Sequence, residues 1–421
     1  MLTEITTRIP PLATVRRRLP AGEPVDIDAT LSREWQRLNL ADQVRGKRIA
    51  IGIGSRGVAG VVTIARRLVA LVRDSGGEPF IVPAMGSHGG ATPEGQIEVL
   101  AGLGVTEASA GCPVRATMET VVLGETADGF PLHFDRYAAE ADGLIIANRV
   151  KIHTDFHGPH ESGLLKMLAI GLGKENGAAR IHSYGVHGLR DIMPEVARAL
   201  LPKINLVAGI ATVEDGYHRP VLLEVLRPDN LIEREQALLD EARRLMPRLP
   251  VDDIDVLIVD LMGKDISGAG MDTNVIGRWR IAGEPEPDAP RVKALVVLDL
   301  TEASHGNATG VGLADFTTRR LLDKIDFPVF TKNIFTSGFP LRGYIPLVYE
   351  TDEAAIDAAL THVFRANPSG RGSARVMRIR STLDLETVQV SPSLLDEVRA
   401  SEGFIEADEP RSLEFRDGSL L

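Results

Sequence analysis

The strongest constraint on the fold is a strand–helix–strand pattern between residues 47 and 90. Two apolar runs, residues 48–53 and 79–83, each end in a glycine-rich turn, and an amphipathic stretch at residues 61–75 lies between them. Parallel neighbours need a crossover of about a dozen residues or more, which is usually a helix. The pattern therefore predicts a βαβ unit with its ligand-binding turns at one edge of a sheet.

The same kind of pattern returns later in the chain, where VDDIDVLIVDLMGKDISG restarts the strand-turn pattern and residues 294–300 are expected to form a buried strand. A chain of 421 residues is longer than one hydrophobic core usually serves. We therefore expect an α/β protein of two α/β domains with mainly parallel sheets and an interdomain cleft. The N-terminal domain, residues 1–248, would carry the cofactor and the catalytic histidines, and residues 249–421 would close the substrate cleft. In that second part, residues 314–324 are predicted as a helix and residues 331–337 as a strand.

Composition excludes several classes of function. The formal net charge is −11 and no basic face is evident, which argues against nucleic acid as a partner. The single cysteine, Cys112, excludes a disulfide framework and a Cys-rich metal site. No apolar run approaches the ~20 residues that span a bilayer, so we expect a cytoplasmic protein without membrane contact. The sequence leaves the oligomeric state open.

A histidine-rich segment, residues 151–185, carries the most chemistry. Lys166 lies in a helix predicted for residues 162–172 that is apolar nearly all round, so burial should favour its neutral, nucleophilic amine. A lysine that extends to the helix edge is the alternative. The remaining candidates are histidines, the usual acid–base groups and metal ligands near neutral pH, and they are His153, His157, His160 and His182.

Two further candidates follow the strands of the βαβ unit. In the first turn, GIGSRG, Arg56 could bind a carboxylate or phosphate, although the spacing is not the dinucleotide-binding fingerprint. In the second turn, GSHGGAT, His88 stands between a serine and two glycines that leave its ring unshielded. His88 and His153 should both leave strand ends at the same sheet edge, where two imidazoles could face each other.

Three segments, GSHGGAT, KIHTDFHGPHESGLLKMLAIGLG and ARIHSYG, resemble the lactate racemase family of nickel-pincer nucleotide enzymes. The resemblance implies a cofactor that is a pyridinium-3-thioamide-5-thiocarboxylic acid mononucleotide with nickel. It implies that Lys166 tethers this cofactor and that His182 is the protein's nickel ligand. It further implies that His88 and His153 are the paired acid–base residues; the chain is longer here than in the family, so His157 competes with His153.

The implied reaction is the racemisation or 2-epimerisation of a 2-hydroxy acid by hydride transfer, with histidines taking and returning the hydroxyl proton. Arg56 would contact the cofactor and bind the substrate carboxylate, and His157 could also touch the substrate. In the second domain, the family's substrate-binding polar pair is replaced by GKDISGAGMDTNVIGR, in which we expect substrate contacts from Lys264, Asn274 and Arg278. These residues suit lactate or a larger, more polar acid. The partners implied are the substrate and the cofactor-biosynthesis enzymes.

Two other functions remain open from the sequence. A mononuclear metal-dependent hydrolase could use His153, Asp155, His157 and His160 around an activated water. A non-catalytic protein could bind or store the cofactor. In the hydrolase, Lys166 and His182 would have no function.

Overall fold

The computed structural model describes residues 9–55 and 57–421, which form two compact units. The central unit is the continuous segment Pro20–Met246. The terminal unit consists of Pro247–Leu421 together with the described residues before Pro20. The sequence analysis placed all of residues 1–248 in one domain, whereas strand β1 (Ala13–Arg17) pairs with two strands from the end of the chain.

The central unit alternates strands and helices. Its strands are β2 (Arg48–Ile53), β3 (Glu78–Pro83), β4 (Thr120–Glu125), β5 (Pro131–Asp135), β6 (Gly143–Arg149), β7 (Leu206–Glu214) and β8 (Pro220–Leu226). Its helices are α1 (Ile27–Arg37), α2 (Leu40–Val44), α3 (Val61–Asp74), α4 (Pro93–Gly102), α5 (Glu107–Ala110), α6 (Arg136–Ala139), α7 (Leu164–Lys166), α8 (Lys174–His182), α9 (Gly185–His187), α10 (Met193–Leu200) and α11 (Leu231–Leu245). Two π-helical turns, Met167–Gly171 and Gly188–Ile192, follow α7 and α9 directly.

Five of these strands form a sheet in the order β3-β2-β6-β7-β8, in which the first four are parallel and β8 returns as a hairpin. The first residue of β2 and of β3 is exposed, and every later residue of both strands is buried. Apolar side chains on both faces are what a parallel sheet covered on both sides requires. The predicted βαβ unit is confirmed as β2, α3 and β3, and the carboxyl ends of β3, β2 and β6 lie side by side.

The terminal unit has an eight-stranded mixed sheet and a separate two-stranded hairpin. Its further strands are β9 (Asp253–Met262), β10 (Arg291–Leu300), β11 (Phe316–Thr318), β12 (Leu347–Tyr349), β13 (Val376–Ile379), β14 (Thr387–Val390), β15 (Phe404–Ala407), β16 (Phe415–Arg416) and β17 (Ser419–Leu420). Its helices are α12 (Thr273–Ile276), α13 (Arg319–Asp323), α14 (Phe327–Ser337), α15 (Asp352–Val363) and α16 (Pro392–Ala400). The order of the large sheet is β12-β11-β10-β9-β13-β14-β1-β15, parallel from β12 to β13 and antiparallel beyond.

Two element predictions in the terminal unit are wrong. Residues 331–337 belong to helix α14, because Asp326 caps its start by accepting a hydrogen bond from the N–H of Val329, and Gly338 ends it at a φ of 76°. Residues 314–324 are not a single helix, since β11 precedes α13. The α/β class with mainly parallel sheets is confirmed. Within the described ranges, every helix is too short or too polar to cross a membrane.

Candidate active site

The amine of Lys166 lies against the imidazole of His153. Lys166 ends α7, His153 lies on the loop after β6, and 3.0 Å separates Lys166 Nζ from His153 Nε2. The other ring nitrogen, Nδ1, accepts a hydrogen bond from the main-chain N–H of Asp155 at 3.1 Å, and the Asp155 carboxylate lies 3.6 Å from it. The ring therefore faces the lysine through Nε2.

The backbone of the His153 loop is held by the carboxylate of Glu161. Its oxygens accept hydrogen bonds from the N–H of His153 at 2.6 Å, from the N–H of Gly158 at 3.2 Å and from the guanidinium of Arg243 at 2.8 Å. Burial alone would raise the pKa of Glu161, but hydrogen bonds from His157, His153 and Arg243 outweigh it and hold the pKa below its ordinary value. An ionised carboxylate thus fixes the loop from inside.

The three loop histidines turn towards different partners. His153 faces Lys166, the half-exposed His157 lies 3.4 Å from Glu161, and the buried His160 lies 3.5 Å from Glu235. Among residues 9–55 and 57–421, no three His, Cys, Asp or Glu side chains are grouped so that they could hold a metal ion. The described residues therefore do not form the three-ligand cluster that the hydrolase hypothesis requires.

The helix that carries Lys166 widens immediately after it. Met167–Gly171 is π-helical, which differs from the uniform helix predicted for residues 162–172. The buried carboxylate of Glu235, on α11, accepts hydrogen bonds from the first two main-chain N–H groups of α7. Gly163 permits this approach, since a Cβ there would lie 2.5 Å from that carboxylate. Glu235 thus caps the lysine helix and fixes where it starts.

His182 is the last residue of α8 and belongs to the same electrostatic environment. Desolvation and the positive charge of Lys166 lower the pKa of His182 to about 4, against an opposing effect of Asp155. The charges of Lys166 and of Asp155 thus both act on the His182 ring. His182 is also an exposed residue, so solvent reaches it. At neutral pH its ring is neutral and offers a lone pair to a metal.

His88 lies in the exposed turn after β3. Its Nδ1 is 2.5 Å from the hydroxyl of Ser55, which follows β2. The strand order puts β2 between β3 and β6, so His88 and His153 leave strands on either side of it. Arg56, the neighbour of Ser55 and the predicted carboxylate ligand, lies outside the described residues.

The predicted substrate residues of the terminal unit make structural contacts. Lys264 Nζ donates to the carbonyl of Gly268 at 2.6 Å, and the amide of Asn274 donates to Asp272 at 3.1 Å. Arg278 is buried, and its terminal nitrogens donate to Asp315 at 2.6 Å and to main-chain carbonyls of three residues. The guanidinium of Arg278 thus joins strand and loop segments within this unit, and the expected substrate contact stays a prediction.

Sequence reasoning missed the residues that support the site. Glu235 binds main-chain groups about 70 residues away, and Glu161 and Arg243 bind each other across 82 residues, so no local pattern reveals these contacts. Lys174 follows the apolar run LAIGLG and begins α8, yet it is completely buried. The sequence signal that could have revealed this buried lysine is its position directly after an apolar run that contains two glycines.

The arrangement defines an α/β protein with an amine and imidazoles gathered at the carboxyl edge of a parallel sheet. A protein-family model described as "Domain of unknown function (DUF362)" matches residues 54–225, the part of the chain that contains these groups. No curated protein gives a match.

Solved structures that resemble the chain include the lactate racemase apoprotein from Thermoanaerobacterium thermosaccharolyticum. The match has a TM-score of 0.53 and 12% sequence identity, and it covers 89% of this chain and 99% of that one. The chain therefore has a lactate racemase-like fold.

Proposed function

We propose that this chain is a racemase or 2-epimerase of a 2-hydroxy acid that works with a nickel-pincer nucleotide tethered to Lys166. The observation that carries the proposal is the position of the Lys166 amine, 3.0 Å from the His153 ring at the carboxyl edge of the parallel sheet. The lactate racemase-like fold supports the same assignment.

The residues present fit such a cofactor. Lys166 offers a primary amine for a covalent tether, and His182 offers a neutral imidazole, which is a suitable ligand for nickel. A single protein ligand is enough here, because the cofactor's own sulfur and carbon atoms would supply the other donors. When bound, the cofactor would accept a hydride from C2 of the substrate and return it to either face of the resulting 2-keto acid.

His153, in the tautomer that carries its proton on Nδ1, would take the hydroxyl proton at Nε2 while the substrate is oxidised. The Asp155 carboxylate, 3.6 Å from Nδ1, stabilises the charged ring in that state. We favour His153 over His157 for this role, because His157 is turned towards Glu161.

His88 would exchange the proton of the opposite enantiomer. Its Nδ1 contacts the Ser55 hydroxyl, which can either donate or accept a hydrogen bond and so accommodates the ring whether or not Nδ1 carries a proton. We retain Arg56 as the proposed ligand of the substrate carboxylate, because a guanidinium binds a carboxylate through two parallel hydrogen bonds.

The test is to produce the protein together with cofactor-making enzymes and measure its intact mass. We expect an added nucleotide with nickel and sulfur that is absent from the Lys166→Ala variant. The loaded protein is then offered aliphatic, dicarboxylic and sugar-derived 2-hydroxy acids, and inversion at C2 is followed by chiral chromatography. A loaded protein that inverts none of them would favour cofactor storage, and a protein that never gains the mass would refute the proposal.

A further inference from the structure

Lys174 occupies a position that is unfavourable for a lysine in two respects. Its side chain is completely buried, and its backbone has a φ of 52°, in the left-handed region that suits glycine. Burying an ammonium group is strongly unfavourable unless it is paired and fully hydrogen-bonded. Contacts made by this side chain must therefore offset both penalties.

The ammonium group of Lys174 meets three acceptors from three separate segments. Nζ donates to the carbonyl of Pro83 at 2.5 Å and to the side-chain oxygen of Gln96 at 2.9 Å, and it lies 3.0 Å from the carboxylate of Asp135. These partners lie at the end of β3, on α4 and at the end of β5. Two hydrogen bonds and one ion pair thereby surround the ammonium group, which explains why it is stable inside the protein.

Gln96 extends this contact to the turn that carries His88. Its amide is completely buried, and the nitrogen donates to the carbonyl of Gly86 at 2.8 Å and to that of His88 at 3.4 Å. Lys174 accordingly fixes the orientation of the amide, and the amide holds the turn. We call Lys174, Gln96 and Asp135 the buried lysine network.

The turn also packs directly on the segment between Lys166 and His182. The N–H of Gly86 donates to the carbonyl of Gly171 at 3.0 Å, and a Cβ at Gly86 would be only 3.3 Å from Ala178 on α8. Lys174 is the first residue of α8, and His182 is its last. The buried lysine network thus joins the turn of His88 to the helix of His182.

We propose that Lys174 is a positioning residue that holds the His88 turn in register with the helix ending at His182. The expected loss of turnover rests on the proposed function, whereas the expected loosening of the His88 turn does not. If the network is removed, the His88 ring should be displaced from the reacting atoms while cofactor and substrate still bind.

The first experiment uses the protein without cofactor, so that it does not depend on racemase activity. Lys174→Met is combined with Asp135→Asn, so that no charge is left buried, and amide hydrogen exchange is followed by mass spectrometry. We expect peptides covering residues 84–92 to exchange at least about tenfold faster, because their local opening becomes easier, while peptides from β2 and β6 are unchanged. Gln96→Leu should give the same localised result without altering any charge, and Lys47→Met, at an exposed lysine, should give none.

The second experiment measures turnover of the loaded enzyme. The Gln96→Leu variant should carry the full cofactor mass and keep its KM within about threefold, while kcat falls roughly tenfold to a hundredfold, as expected for a misplaced catalytic group. A folded Lys174→Met, Asp135→Asn protein with wild-type exchange at residues 84–92 would overturn the positioning role. Faster exchange in that turn, in a protein that never racemises any acid, would refute the proposed function and leave the positioning role standing.

Discussion

The two units place similar polar residues after similar strands and use them differently. In the central unit, the Lys166 amine meets the His153 ring from another segment, and both side chains stay only partly buried. In the terminal unit, Lys264 binds the carbonyl of Gly268 and the side chain of Asn333, and Asn274 binds a carboxylate two residues away. Polar groups whose hydrogen bonds are satisfied within their own unit stabilise its loops. Groups that distant segments bring together at a sheet edge, with solvent access, are the better candidates for chemistry.

Replacing Lys166 should have a far larger effect on cofactor binding and activity than replacing Lys264. Lys166→Ala should abolish the cofactor adduct and lower racemisation by at least about a thousandfold, because the covalent tether is lost. Lys264→Met, the matched variant in the terminal unit, should keep the adduct and most of the activity. Intact mass and chiral chromatography measure both properties. If the Lys264→Met protein is as inactive as Lys166→Ala, the structural role assigned to Lys264 is contradicted.

Arg278 should be essential to the stability of the protein and not to the binding of the cofactor. Arg278→Met removes one donor to Asp315 and the donor to three main-chain carbonyls, and it should lower the free energy of unfolding by about 2 kcal/mol. Urea denaturation measures this change, and the cofactor mass should be retained. A variant with wild-type stability and a greatly raised KM would instead support the substrate contact predicted from the sequence.

Glu161 offers a test of the loop that carries His153. Glu161→Gln should destabilise the protein by roughly 1–2 kcal/mol at pH 7, because a buried, hydrogen-bonded carboxylate is replaced by a weaker acceptor. The pKa of Glu161 is lowered in the folded state, so its stabilisation is complete above the ordinary value of 4.5 and is lost as the pH falls through the folded value. Urea titrations at several pH values should therefore show the difference from wild type shrinking in acid, and a constant difference would contradict this account.

The smallest effect concerns His182. Its pKa falls from an ordinary 6.5 to about 4 on folding, so between these values the unfolded chain binds a proton that the folded protein does not. Acidification from pH 7 to 5 should then destabilise wild type slightly more than His182→Gln, which cannot titrate. Urea midpoints at the two pH values test this, and equal shifts in both proteins would show that the ring titrates normally.

The sequence was sufficient to predict the scaffold that carries the site. Continuous apolar runs with glycine turns mark β2 and β3, and strands β3 and β6 put His88 and His153 at one edge. The pairing of Lys166 with His182 came from family resemblance, since spacing along a chain does not specify a contact, and it stays a prediction. Lys174 was missed because a lysine at a helix start is normally solvated, and its acceptors come from three remote segments. The structural contacts of Arg278 could not be read from the sequence for the same reason, because its carbonyl partners belong to other strands and loops.

The π-helical turn Met167–Gly171 changes the direction in which the side chains before and after it point. On one uninterrupted α-helix, side chains 16 residues apart, as Lys166 and His182 are, would point about 160° away from each other. A π-helical turn has more residues per revolution than an α-helical one. The left-handed backbone at Lys174 then interrupts the regular helix at the start of α8. Removing a single residue from this turn would rotate Lys166 by about 100° relative to α8 without changing any side chain. The direction in which Lys166 points relative to His182 therefore depends on the number of residues in the backbone between them.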